Sequence, residues 1–336
     1  MATDIADYIR RLPKAELHIH IEGSLEPELM FSLAAKHGIK LPYPDVEAVR
    51  RAYEFHNLQE FLDIYYAGAA VLIERSDFHD LMLAYLKRAH ADGVVHSEIF
   101  FDPQTHTARG IAMGTVIEGL TDGMTEGKRA FGISSELILC FLRHLSEEDA
   151  FKTLEAALPY RRLFIGVGLD SSEVGHPPAK FERVFARARE LGLRVVAHAG
   201  EEGPPAYVTE ALDLLKTERI DHGVRSESDP ALCARLKQMQ MPLTVCPLSN
   251  VKLAVFKRAE DHNLKRLMDL GLMVTINSDD PAYFGGYMQD NYMAMARGLQ
   301  LTPAELKTLA ANSITASFLP APAKKEWLAH IEAVAA

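Results

Sequence analysis

Residues 12–24 read Leu12-Pro-Lys-Ala-Glu-Leu-His18-Ile-His20-Ile-Glu-Gly-Ser24, a stretch that predicts a buried strand ending in two histidines. Aliphatic residues alternate with His18 and His20, which is the period-2 pattern of a strand. Side chains two residues apart project from the same face of a strand, so both imidazoles point the same way. Two such imidazoles can form half of a metal site. An isolated His-x-His pair is more often structural, so the remaining sequence must decide.

Predicted strands and helices alternate through the rest of the chain. After the first strand, further strands are predicted at 94–100, 133–141, 163–168, 193–197, 219–221, 243–246 and 272–276. Strands separated by helical patterns indicate βαβ units with a parallel sheet. Eight of them predict a (β/α)8 TIM barrel. Extra helices are expected after the first strand, including one over 57–74 capped by Asn57, and at the C-terminus over 286–335.

Composition narrows the class of protein. No repeat or linker divides the sequence, so we expect residues 1–336 to form a single domain. The net charge of −10 gives no support to nucleic-acid binding, which usually shows as a basic patch. Three widely spaced cysteines offer neither a disulfide framework nor a Cys-x-x-Cys zinc site. We therefore expect a cytoplasmic protein that contacts no membrane. The sequence leaves the oligomeric state open, a homo-oligomer included.

Chemistry-bearing residues recur at the predicted strand ends, where TIM barrels place their active sites. His198 ends the fifth strand and is followed by Glu201, His222 ends the sixth, and Asp279-Asp280 ends the eighth. Histidines and a carboxylate are ligands suited to zinc. Each residue alone has an ordinary structural explanation, and their joint placement is the argument. The predicted fourth strand contains no lysine that could bridge two metals, so one metal per chain is expected.

Four ordered motifs carry a resemblance to a known family: Pro13 to Ser24, His198-Ala-Gly-Glu201, Asp221-His-Gly223 and Ser278-Asp-Asp-Pro281. The chain resembles the adenosine/adenine deaminase branch of the amidohydrolase superfamily over about residues 12–320. The other zinc deaminase class, with His-x-Glu and Pro-Cys-x-x-Cys ligands, is not indicated, because the sequence has no Pro-Cys-x-x-Cys. The resemblance implies a metal-dependent aminohydrolase acting on a small purine.

The resemblance also implies a role for each matched residue. His18, His20, His198 and Asp279 would hold one Zn²⁺, Glu201 would protonate N1 of the purine, His222 would orient the attacking water, and Asp280 would accept a hydrogen bond from the N7 side. A group that donates a proton must spend part of its time protonated, so we expect a raised pKa for Glu201.

The segment after the fourth strand bears on the substrate. It reads Asp170-Ser-Ser-Glu173, which is similar to enzymes acting on free adenine rather than adenosine. Glu173 is expected to occupy ribose space and to accept the N9–H of the free base, with Ser171 and Ser172 as further specificity residues. Deamination of adenosine or of an N6-substituted adenine stays open. A metal hydrolase of esters or amides is a further alternative, which the motifs disfavour. An inactive metal-binding relative is another, and the presence of Glu201 and His222 argues against it.

Other positions receive weaker interpretations. Phe61 and Tyr65 are expected in an apolar lid or in the core. His96 and His106 lie near the second strand and could line a pocket. The remaining histidines fall in helical or loop patterns and are expected at the surface: His37, His56, His79, His90, His144 and His262.

Overall fold

A computed structural model describes residues 4–54 and 58–335. It contains a sheet of parallel strands paired in chain order, β1 to β8. The strands are β1 Lys14–His20, β2 Val94–Phe101, β3 Ser134–Leu142, β4 Gly166–Asp170, β5 Arg194–Ala199, β6 Arg219–His222, β7 Leu243–Val245 and β8 Val274–Ile276. The predicted Asn57 cap and His56 lie outside the described residues.

The residues that follow β8 close the sheet against β1. The backbone N–H of His20 donates to the carbonyl of Asp279 at 2.9 Å, and the N–H of Asp279 donates to the carbonyl of His18 at 3.1 Å. A parallel bridge between Ile19 and Asp279 lies at the same place. The predicted (β/α)8 barrel is confirmed, and its closure brings residues 260 positions apart side by side.

Helices surround the barrel. They are α1 Ile5–Arg11, α2 Pro27–His37, α3 Val46–Ala52, α4 Leu58–Gly68, α5 Arg75–Ala91, α6 Pro103–Thr107, α7 Met113–Phe131, α8 Glu147–Ala157, α9 Glu182–Glu190, α10 Pro205–Glu210, α11 Pro230–Met239, α12 Pro247–Lys252, α13 Leu264–Asp269, α14 Pro281–Phe284, α15 Met288–Gly298, α16 Pro303–Ala316 and α17 Ala321–Ala333. Their ends follow ordinary capping chemistry: α16 starts at a Thr302–Glu305 capping box, and α7 stops at Gly132 with φ +76°. Within the described ranges, no helix has both the length and the apolar character needed to cross a bilayer.

The extra helices after β1 and after β8 are present as predicted, as α2–α5 and α14–α17. The fourth strand is shifted from its predicted position of 163–168 because Leu158–Leu163 forms a 3-10 helix. The strand therefore ends at Asp170, which places this carboxylate at the carboxyl end of the barrel. No lysine lies in β4 as observed either.

A buried ion pair fills the amino-terminal half of the barrel. The Arg219 guanidinium donates to Glu98, and its other amino group donates to the carbonyl of Leu17 at 3.1 Å. His96 Nε2 lies 3.1 Å from the same Glu98 carboxylate. Although burial opposes ionisation, the charges of Arg219 and His96 outweigh it and lower the pKa of Glu98 to about 2. His96 thus belongs to the barrel interior rather than to the cavity at the other end.

Candidate metal centre and active site

Three imidazoles and one carboxylate converge at the carboxyl end of the barrel. The Oδ1 atom of Asp279 lies 3.2 Å from His18 Nε2 and 3.5 Å from His20 Nε2. His20 Nε2 in turn lies 3.1 Å from His198 Nε2. All four side chains are buried, and they come from β1, from β5 and from the segment after β8. Residues predicted as ligands from widely separated motifs are therefore brought together.

These atoms have the spacing of a metal-ligand set. Four ligands about 2.0–2.1 Å from a tetrahedral zinc ion lie about 3.3 Å from one another, close to the three separations given above. His18, His198 and Asp279 also form a close group with His222, and His20 forms one with Asp279 and Asp280. His18 Nε2 is buried and has no hydrogen-bond partner, as expected for an atom that serves as a ligand. Nitrogen and carboxylate donors are those that zinc prefers. The residues present fit a divalent cation of this kind.

The Nδ1 nitrogen of each histidine lies near an oxygen from another strand of the barrel. Thr244 Oγ1 lies 3.0 Å from His18 Nδ1, Asp170 Oδ2 lies 3.4 Å from His20 Nδ1, and Asp221 Oδ2 lies 3.3 Å from His198 Nδ1. Such partners fix the tautomer and orientation of a ligating imidazole, leaving Nε2 free for the metal. Sequence reasoning assigned no role to these three oxygens, although the positions of their residues in β7, β4 and β6 gave a signal.

Backbone strain marks the same site. Asp279 has φ +65° and His222 has φ +61°, a left-handed conformation that non-glycine residues seldom adopt. Such strain persists where the surrounding structure imposes it, and it is frequent at active sites. Here it directs both side chains toward the centre of the barrel mouth.

Glu201 and His222 stand beside the ligand group. His222 Nε2 lies 3.6 Å from Glu201 Oε2 and 3.9 Å from Asp279 Oδ2. Glu201 Oε1 is buried without a hydrogen-bond partner. Burial, followed by the charges of Asp279 and Glu173, raises the pKa of Glu201 well above its usual value. The expectation of a raised pKa is thereby met.

Glu173 is located differently from the expectation. Its Oε1 accepts the backbone N–H of Gly200 at 2.6 Å, and its Oε2 accepts three more at 2.8–3.0 Å, from residues 201–203. With both oxygens occupied by this loop, the carboxylate is not placed to accept the N9–H of a purine. The observed contacts make Glu173 the anchor of the loop that carries Glu201.

Asp280 follows β8, and its side chain approaches the backbone of Gly23 in the segment after β1. A Cβ atom built on Gly23 would lie 1.9 Å from Asp280 Oδ1, so glycine is required at position 23 for this approach. Asp280 Oδ1 is buried without a hydrogen-bond partner, and the residue is among those that line the cavity. Burial, followed by the charge of Asp279, raises the pKa of Asp280 well above its usual value.

Aromatic residues of α4 cover the cavity. Phe61, Tyr65 and Tyr66 line it from above, together with Ser171 from the loop after β4. Ser171 Oγ lies 3.0 Å from the Tyr66 hydroxyl. Ser172 is half-buried beside it. Phe61 and Tyr65 also pack in a small apolar cluster with Phe284, so the lid and core interpretations both hold.

Two further acids line the cavity that sequence reasoning passed over, Asp102 after β2 and Asp170 at the end of β4. Their positions at strand ends were the available signal. His106 lies nearby but is bonded to Glu22, 2.8 Å away. The surface expectation is wrong for His262, which is buried against Asn250 and whose pKa burial lowers to about 3.

The comparison with protein families decides the assignment. The adenosine deaminase family model matches residues 13–334. The chain belongs to the adenosine deaminase family. Among relatives in this family, adenine deaminases from Cupriavidus necator and Acinetobacter baylyi are each 62% identical to it. The alignments cover 98% of this chain in both cases, and 93% and 99% of the respective relatives.

Solved structures of the same superfamily agree. The crystal structure of adenine deaminase from Arthrobacter aurescens has a TM-score of 0.94 at 51% identity, covering 95% of this chain and 98% of that one. An amidohydrolase from Burkholderia ambifaria with bound Zn has a TM-score of 0.89 at 26% identity, covering 99% and 93%. Both solved structures share the fold of this chain over nearly its whole length.

Proposed function

We propose that this chain hydrolyses adenine at C6, giving hypoxanthine and ammonia. The observation that carries the proposal is that Glu201 and Asp280 line one cavity together with His20, His198 and Asp279 of the candidate metal-ligand group. The 62% identity to adenine deaminases over nearly the whole chain supports adenine as the substrate. A non-catalytic relative would have no use for a buried acid with a free oxygen beside a metal centre.

His18, His20, His198 and Asp279 would hold one Zn²⁺. Zinc bound by such residues supplies Lewis-acid activation of a water near neutral pH. His222 lies against both Asp279 and Glu201 and is placed to orient that water. Burial, followed by the charge of His18, lowers the pKa of His222, so its imidazole is neutral and can accept a hydrogen bond.

Glu201 would hold a proton and deliver it to N1, which makes C6 more electrophilic. Asp280 would hold the N7 side of the ring. N7 of adenine is a hydrogen-bond acceptor. A carboxyl group donates to N7 only in its protonated form, which the raised pKa of Asp280 favours, so the hydrogen bond would run in the reverse of the direction first expected. The aromatic residues of α4 would exclude water when the site closes.

The proposal is tested by ammonia release from adenine, adenosine and N6-methyladenine in parallel, with hypoxanthine identified from adenine. We expect adenine to have the highest kcat/KM. A higher value for adenosine or N6-methyladenine would replace adenine by that compound, and no release from any purine would contradict deamination altogether.

Metal content gives a separate prediction. We expect about one zinc per chain by elemental analysis, and a Tm that falls by several degrees when a chelator removes it, because a ligand of the folded state stabilises that state. Asp279→Ala should lose this metal, whereas Asp269→Ala, an exposed position, should retain it. Equal zinc content in the two variants would remove Asp279 from the ligand set.

The broader expectations stand as proposals. We propose one domain over residues 1–336, a small purine base as the partner, and a cytoplasmic location without nucleic-acid or membrane contacts. Oligomeric state would be measured by light scattering.

A further inference from the structure

Asp102 lines the cavity, and one of its carboxylate oxygens has no hydrogen-bond partner. It follows β2 directly, and its side chain is 3% exposed. Its Oδ2 accepts the hydroxyl of Tyr65 at 3.2 Å, whereas Oδ1 is buried without a hydrogen-bond partner. The backbone N–H of Asp102 donates to Glu22 Oε1 at 3.1 Å, which holds the residue in place. A buried acceptor without a donor is costly, so this atom points to a ligand that donates.

The order of strands places Asp102 relative to the purine of the proposed function, on which this inference rests. His222 ends β6, and β2 lies across the barrel from it. A purine with C6 toward His222 therefore turns its N3 and N9 edge toward β2, β3 and β4. With N1 at Glu201 after β5 and N7 at Asp280 after β8, N3 falls on the β4 side and N9 on the β2 side.

We propose that Asp102 accepts the N9–H of a free purine base and thereby selects against purines substituted at N9. A nucleoside has no hydrogen at N9 and would press a sugar carbon against the buried carboxyl oxygen. The Tyr65 hydroxyl on Oδ2 holds the carboxyl group, and Oδ1 is left without a partner. Asp102 takes the role that the sequence suggested for Glu173, whose oxygens are occupied by the 200–203 loop.

A purine N–H would give the unpartnered oxygen of Asp102 the donor that it lacks, while a substituent without a hydrogen cannot. A site built around a substrate N–H discriminates strongly against analogues that lack it.

The test compares kcat/KM for adenine and for 9-methyladenine, which differ only at N9. We expect the wild type to favour adenine by about 10²-fold or more, and Asp102→Ala to reduce that ratio by about 10–100-fold, mainly through loss on adenine. Asp102→Asn retains an acceptor oxygen and should keep part of the preference. Tyr65→Phe removes the hydroxyl that holds the carboxyl group but leaves Oδ1, so the ratio should fall by less than in Asp102→Ala.

The outcomes separate this inference from the proposed function. Failure of the proposed function appears in the wild type alone, as no ammonia from adenine. If the wild type deaminates adenine and the folded Asp102→Ala variant keeps the wild-type ratio, Asp102 is not the N9 acceptor. Should the alanine variant fail to fold, the near-isosteric Asp102→Asn decides: a ratio lowered about tenfold supports the assignment, and an unchanged ratio overturns it.

Discussion

Glu201→Gln is expected to retain zinc and to lose turnover by about 10²–10⁴-fold, the usual contribution of a positioned general acid. Glutamine preserves the size of the side chain but cannot deliver a proton to N1. The metal ligands lie on β1, on β5 and after β8, so they should be unaffected. Elemental analysis and ammonia release, measured on the same preparation, separate the two properties.

The pH profile of the wild type supplies a second measurement of the same residue. Burial and the charge of Asp279 raise the pKa of Glu201, which keeps the acid form populated toward neutral pH. Because the protonated form is the active one, kcat should fall as pH rises through that raised pKa. The residual activity of Glu201→Gln should lack this fall.

Glu202→Gln changes the neighbouring half-buried carboxylate and should keep both the rate and the profile close to wild type. A fully active Glu201→Gln variant would exclude the proton-donor role.

The barrel and the metal group could be predicted because both depend on local patterns. Strand periodicity fixes which residues end each strand, and closure of a barrel brings all strand ends to one rim. His18, His198 and Asp279 meet for that reason alone. No side-chain contact had to be known in advance.

The partners of the buried acids could not be predicted in the same way. Glu173 bonds to amides 27–30 residues further along the chain, which depends on how two loops pack rather than on any periodicity. Asp102 lay near the end of the predicted second strand, whereas Asp170 reaches a strand end only when β4 is placed correctly. The 3-10 helix at Leu158–Leu163, which displaces β4, has no strong signature in the sequence.

Glu173→Gln is expected to lower both stability and activity, because the Glu173 carboxylate accepts four backbone N–H groups of residues 200–203, the loop that carries Glu201. Glutamine would place an N–H donor opposite one of those amides and leave it unsatisfied. A buried donor without a partner costs about 1–3 kcal/mol, so the free energy of unfolding should fall by that amount. Glu201 would also lose its fixed position, and a displacement of about 1 Å can lower a rate by about 10²-fold. Denaturant unfolding and steady-state kinetics measure the two effects.

The ratio of kcat/KM for adenine to that for 9-methyladenine distinguishes this anchoring role from direct contact with the purine. If Glu173 only positions the loop, Glu173→Gln should lower kcat for adenine and for 9-methyladenine by similar factors, with the ratio of their kcat/KM values unchanged. If Glu173 accepted the N9–H, the loss would fall on adenine alone. Since all four of its bonds run to the backbone of residues 200–203, we expect a uniform loss. A selective loss on adenine would restore Glu173 as a specificity residue and displace Asp102 from that position.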